Sequence, residues 1–362
     1  MTEQQTTSVA DAGDYLKAFA CTAVMLQTVL SWAITTTSGQ SMQVSLAWVY
    51  LTVKFTAPAF ICGILFTTIR TTDVTQPTYG QYLRQQWSAL GVPTVWWSLA
   101  YLLLQPQLQQ HRPFTTLGQF GWQLINGNAA PHLWYNTMML QIILLMPLWW
   151  AIRRQVTTRR RFWWTAGLSG AWMFGWVVSY HQLITPAARV GHWYLLDRVF
   201  WGFALYAVLG ILLWLAWSHI WQWRWTWVPL LVGALATLVW QVHDLLATGR
   251  PITLARSSYY APATVFYGLC VIGLLVSLAA WQQRQRARGL VVIHWLATYA
   301  YRAYLANVFW LALIWRFGGQ TLTAAHPVSG ILVSYLLTWA WSFATAYGIH
   351  RIWQWMKGTV AK

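Results

Sequence analysis

Acidic residues are nearly missing from this chain: six Asp and Glu stand against 23 Lys and Arg in 362 residues, and charged residues of both signs make up only 8%. A water-soluble globule of this length needs far more polar surface to stay dispersed, so that class is excluded. Cysteine is scarce too. Cys21, Cys62 and Cys270 all fall inside apolar runs, where they act as small hydrophobes, and an odd, scattered set offers no disulfide framework. No Gly-rich phosphate loop, no metal-spaced His or Cys cluster and no nucleophile elbow occurs, so no metal site is expected and none of those chemistries is signalled. The first apolar run lacks a small-residue cleavage site and reads as a retained helix. No internal repeat is evident, so the inverted-repeat signature of many secondary transporters is missing.

What the chain has in abundance is apolar and aromatic surface: 57% hydrophobic residues, with 30 Trp and 17 Tyr. Amphipathic rings favour the level of the lipid headgroups, where the ring is buried and its polar tip stays wet. Stretches long enough to span a bilayer recur near residues 14–35, 46–69, 85–104, 132–151, 161–180, 198–217, 227–245, 260–280, 291–316 and 327–350. The pattern predicts an all-α, polytopic membrane bundle of about ten transmembrane helices.

The formal charge of +17 suits a nucleic-acid partner only if it forms a contiguous basic stripe on a soluble face. Here the basic residues sit in short clusters between apolar runs, which is a topology signal, and no nucleic-acid partner is expected. Of the 23, Lys54 and Arg302 fall within spans, fifteen lie on one side, including the Arg153–Arg161 cluster, and six on the other. The side richer in Lys and Arg is cytoplasmic, so both termini are expected in the cytoplasm. The chain then divides into a polar tail at 1–13, a transmembrane domain at 14–350 and a cytoplasmic tail at 351–362. The loop from about 105 to 131 carries Phe120, Trp122 and Leu124 and is expected to lie along the outer membrane surface.

Ionisable residues inside a bilayer are costly, roughly 2.5–3.5 kcal/mol each at the centre, so they face a bundle interior or a wet cavity. Lys54 and Arg302 are the two basic candidates, read either as snorkelling or structural groups or as a site for an anionic group. His243 and Asp244 are adjacent on a helix, point about 100° apart and are not expected to bond each other. Asp197 and Arg198 mark a helix end, where a local ion pair or a helix-end charge is expected. His132 follows Pro131 and opens the fourth span, a position suited to facing a ligand or fixing the helix end.

Several segments, in order, resemble the acyltransferase 3 family of polytopic bacterial membrane enzymes. They are Asp14-Tyr15-Leu16-Lys17, Ala57-Pro58-Ala59-Phe60-Ile61-Cys62-Gly63, Tyr82-Leu83-Arg84 before Pro93, and His132-Leu133-Trp134-Tyr135 with Pro147. Tyr206 to Gly210 and Tyr304-Leu305-Ala306-Asn307 complete the set. The resemblance covers nearly the whole chain, and the His-Leu-Trp-Tyr segment is its most specific part. It implies transfer of an acyl group, such as acetyl, from a cytoplasmic acyl-CoA to a cell-envelope carbohydrate, with no bound cofactor, by a multi-pass protein of the bacterial cell membrane. Membrane lipid, acyl-CoA and an envelope glycan are the implied partners. His132 is the expected catalytic residue, and Arg84, Lys54, Arg302, Trp134, Tyr135, Asn307 and Gln27 the expected substrate-binding set.

Family members usually carry a histidine in the first span, downstream of the Asp-x-x-Lys/Arg segment, where this chain reads Met25-Leu26-Gln27-Thr28. Neither an amide nor an aliphatic hydroxyl takes up and returns a proton near neutral pH as imidazole does. Gln86 and Ser88 stand near the family's paired basic residues, and Asn307 stands where a late histidine is usual. Two readings stay open: an active acyltransferase, or a family member without catalysis that serves as an export, immunity or accessory membrane protein.

Overall fold

The computed structural model of the protein describes residues 9–37, 39–111, 113–184, 194–220 and 226–360, and every regular element among them is helical. The first helix, α1 (Ala12–Thr36), starts where the Asp11 carboxylate accepts a hydrogen bond of 2.9 Å from the Asp14 backbone N–H. That contact satisfies a donor with no partner inside the helix. Ordered structure therefore begins ahead of residue 14, with Ala10, Asp11, Ala12 and Gly13 buried, while residues 1–8 lie outside the described set.

α2 (Gln40–Thr52) and α3 (Thr56–Thr75) form one apolar stretch, interrupted by a turn at Val53 to Phe55. Lys54 sits in that turn and not within a continuous helix. α4 (Tyr79–Gln86) joins α5 (Val92–Leu104) through a π-turn at Trp87–Gly91. Pro93, at the start of α5, has no N–H to give and crowds the carbonyl four residues back, which accounts for the widened turn. The region from 105 to 131 contains a short amphipathic helix, α6 (Leu117–Asn126). Its Leu117, Trp122 and Ile125 point outward while Gln123 and Asn126 are buried, which is the arrangement of a helix whose apolar face meets lipid.

α7 (Trp134–Leu144) and α8 (Met146–Gln155) meet at a 56° bend beside Pro147. The later helices are α9 (Arg159–Ile184), α10 (Ala204–Ile220), α11 (Trp227–Ala247), α12 (Pro262–Arg284), α13 (Leu290–Ile314), α14 (Gln320–Ala325) and α15 (Pro327–Val360). α15 carries helix through the first ten residues of the segment expected as a C-terminal tail.

Among the described residues, seven helical stretches are long and apolar enough to cross a membrane, or eight if the bent α7–α8 pair is one span. The ten spans expected from sequence correspond to these eight together with α9 and α13, which have 26 and 25 residues. At 1.5 Å per residue both exceed a 30 Å hydrocarbon core.

α1 packs against α3, α12, α13 and α15, so it runs through the middle of the bundle. Close approach there depends on small residues, because lipid gives helices no hydrophobic reason to associate and packing must do it. A Cβ on Gly63 of α3 would lie 3.0 Å from the Gly13 carbonyl oxygen of α1, and one on Gly210 of α10 would lie 2.4 Å from the Cys62 carbonyl oxygen. Outward faces carry exposed Trp96, Leu235 and Leu336, suited to hydrocarbon.

Three of the acidic residues pair at the end of the bundle where α1 begins. Asp11 binds Arg70 of α3, and Asp14 holds Lys17 at 3.0 Å and His294 of α13 at 2.8 Å. Asp73 accepts from Arg153 at 2.9 Å and from the Trp214 indole at 2.8 Å. The other expectations for charged pairs need adjustment. His243 Nδ1 comes within 3.6 Å of Asp244 Oδ1, because side-chain torsions close the helical separation, and both groups remain solvent-exposed. Asp197 accepts from the Tyr180 hydroxyl at 2.6 Å and Arg198 donates to the Asn126 carbonyl, so each has a partner beyond its neighbour.

Candidate functional site

At the other end of the bundle from the Asp11 cluster, a cavity of about 190 Å³ opens between α1, the α2–α3 turn, the start of α7 and the segment leading into α12. Gln27 lies thirteen residues along α1 from Asp14, roughly 20 Å further into the bundle. The polar lining is Gln27, Thr28, Ser31, Thr56, His132 and Tyr259, and the rest is largely aromatic, with Trp134, Tyr135 and Tyr304 among it. At about 30 Å³ per water, the space holds several waters or a small acyl group beside a hydroxyl.

Pro131 and the turn before α7 deliver His132 to this wall. Its ring is buried edge-on between Tyr101, with centroids 5.4 Å apart, and Tyr304 at 5.0 Å. Neither ring nitrogen makes a hydrogen bond of normal geometry, although the Leu305 backbone acts on the ring. The His132 backbone is fixed, since the Tyr304 hydroxyl donates to its carbonyl. The imidazole is thus positioned by packing, with both ring nitrogens buried beside the Leu305 backbone.

Facing it, Gln27 belongs to a tight network. The Thr56 hydroxyl donates to Gln27 Oε1 at 3.1 Å, and Thr56 and Tyr259 share a hydrogen bond of 2.9 Å. Lys54 lies just behind, with its ammonium 4.7 Å from the Tyr259 ring centre and 5.2 Å from that of Tyr50, and it donates to the Ser257 carbonyl. The two aromatic faces and the carbonyl hold the cation without a carboxylate contact. Asp197, on the short 3₁₀ segment Tyr194–Arg198, adds a more distant negative charge. Burial pushes its carboxyl above the usual carboxylate range, opposed by the Tyr180 hydrogen bond and the charges of Arg198 and Lys54.

Asn307 is fully buried one turn beyond Tyr304, and its Nδ2 donates to the Tyr304 carbonyl at 2.7 Å while Oδ1 is unpartnered. The Tyr101 hydroxyl donates to the Leu305 carbonyl at 2.8 Å and accepts from the Phe309 N–H at 2.9 Å. Those are the acceptor and donor that one helical turn pairs with each other. Tyr101 thereby anchors α13 next to His132.

Of the residues expected from sequence, Gln27, His132, Trp134 and Tyr135 line the cavity, Lys54 supports its wall, and Asn307 lies one turn beyond the lining Tyr304. Arg84 and Arg302 are not brought there. Arg84 is exposed in the last turn of α4, and half-buried Arg302 of α13 hydrogen-bonds His350 Nδ1 of α15 at 3.0 Å. Thr56, Tyr101 and Tyr259 were not singled out from sequence. Nothing in their local sequence distinguishes them from the other hydroxyl-bearing residues of so aromatic a chain.

The fold and this cavity define a polytopic helical membrane protein with a polar interior site. The acyltransferase 3 family model, described as an acyltransferase domain, matches residues 12–347. The chain therefore belongs to the acyltransferase 3 family. No curated protein and no solved structure matches it significantly.

Proposed function

We propose that the protein is an O-acyltransferase of the bacterial cell membrane that moves an acyl group from cytoplasmic acyl-CoA to a hydroxyl of a cell-envelope carbohydrate. The observation that carries this reading is the convergence of His132 with Gln27 and Thr28 on one cavity, because these are positions the family resemblance marks for chemistry. In the reaction, His132 takes the proton of the acceptor hydroxyl as its oxygen attacks the thioester carbonyl. The carbon–sulfur bond breaks and coenzyme A leaves as the thiol, with the proton returned to sulfur. The Thr56 and Tyr259 hydroxyls, already paired across the wall, are suited to donate to the carbonyl oxygen as it gains charge.

One observation favours the second reading, in which the fold is kept without catalysis. Gln27 is engaged by Thr56, and no imidazole stands at that place on α1. Purified protein given labelled acetyl-CoA and envelope glycan separates the two. Transfer by the wild type supports the enzyme. Failure with common coenzyme A donors, followed by transfer when Gln27→His or Thr28→His restores the family imidazole, supports the retained fold. The same proposal places both termini in the cytoplasm. Reporter fusions after residues 155 and 285 should then read cytoplasm, and fusions after 115 and 250 should read outside; an outside signal at the Arg159 cluster overturns that orientation.

A further inference from the structure

A second hollow, about 420 Å³ and largely apolar, lies between α8, α9 and α10, away from the cavity of His132. On α9 it is lined by Thr165, Leu168, Ser169 and Trp172, a spacing that keeps to one helical face. Arg161 lies one turn before Thr165 on that face. Its guanidinium donates to the Gln155 carbonyl at 3.2 Å, and Gln155 is itself part of the lining. The arginine thus stands exposed next to one end of the hollow. Arg154, Arg159 and Arg160 are exposed beside it, whereas the far end is closed by Trp172, whose indole donates to the Trp201 carbonyl at 3.1 Å.

The distance along α9 from Arg161 to Trp172 is eleven residues, roughly 16 Å. That is close to half of a 30 Å hydrocarbon core, the depth of one leaflet. We infer that this groove binds one anionic phospholipid of the membrane, with its phosphate at Arg160 and Arg161 and an acyl chain lying along α9 towards Trp172. Charge complementarity selects the occupant: the exposed charges next to this end, Arg154, Arg159, Arg160 and Arg161, are all positive, while the groove itself offers apolar surface one chain deep. A zwitterionic lipid fills the groove equally well but gains less at the mouth, where each arginine is worth about fivefold in affinity for an anionic surface.

The test titrates the detergent-purified protein with phosphatidylglycerol and, in parallel, with phosphatidylcholine of the same chains, reading bound lipid by native mass spectrometry and thermal stability. Preferential binding of phosphatidylglycerol is expected. It should weaken about fivefold in each of Arg160→Gln and Arg161→Gln and be lost in Ala204→Phe, which fills the groove from α10. Arg160→Gln keeps the test decisive if Arg161→Gln does not fold. Equal binding of the two lipids overturns the proposal. So does phosphatidylglycerol binding that survives Ala204→Phe in folded protein, since that result reports surface charge alone.

Discussion

The two ends of the bundle handle polar groups in opposite ways. Where α1 begins, the Asp11, Asp14 and Asp73 carboxylates each meet at least one basic partner, and these contacts tie α1 to α3 and α13, and α3 to α8. Roughly 20 Å further along α1, His132 keeps both ring nitrogens without a normal hydrogen bond, and Asn307 and Tyr135 each keep an unpartnered oxygen. Paired charge locks helices, whereas a buried polar group without a partner is unusual in a protein interior and calls for an explanation. Under the proposed function, the first end supplies stability and the second the chemistry.

The sharpest way to break that division is His132→Ala. If His132 moves protons, acyl transfer per folded molecule should fall by roughly two to four orders of magnitude, the usual worth of a positioned acid or base. If the ring only fixes the start of α7, the variant melts earlier and the folded fraction keeps its rate. Asp14→Asn is the converse experiment. It leaves Lys17 and His294 facing an amide, and with both partners partly exposed the loss should be about 1–3 kcal/mol in stability, with transfer per folded molecule unchanged.

The smallest expected effect concerns Asp197. Its carboxyl titrates above the usual range because of burial, so the folded state keeps this proton to higher pH than the unfolded state does. Stability from this group is full below the unfolded carboxylate value and declines as pH rises through the raised one. Asp197→Asn should flatten that decline, measured as thermal stability across the acidic range. A decline that is unchanged in the variant would show that other groups set it.

The helical class of this protein was legible from sequence because its cause is local. A chain with so few charges and such long apolar runs satisfies its backbone in lipid only by closing hydrogen bonds within each segment, and α-helices do this without help from distant residues. Part of the site was legible for a related reason: the segment His132-Leu133-Trp134-Tyr135 follows Pro131, and three of its four residues line the cavity. The positions of isolated charges relative to the cavity were not legible. Arg84 and Arg302 share a basic character with Lys54, but only Lys54 stands against a cavity wall, and that depends on Ser257 and Tyr259 arriving from a distant part of the chain to join the nearby Tyr50.

Composition and periodicity by themselves determined that the chain is a membrane helical bundle, that its cysteines form no disulfide framework, and which segments carry polar residues into the apolar interior. Tertiary structure alone decided which of those residues meet. Helix packing brings Gln27 of α1, Thr56 of α3, Tyr259 ahead of α12 and His132 ahead of α7 around one space, while the same packing turns Arg302 to His350. The physical reason is that hydrogen bonds within a helix depend on neighbours four residues apart, whereas a cavity depends on close helix contacts such as those at Gly63 and Gly210. Those contacts are set between segments far apart in sequence.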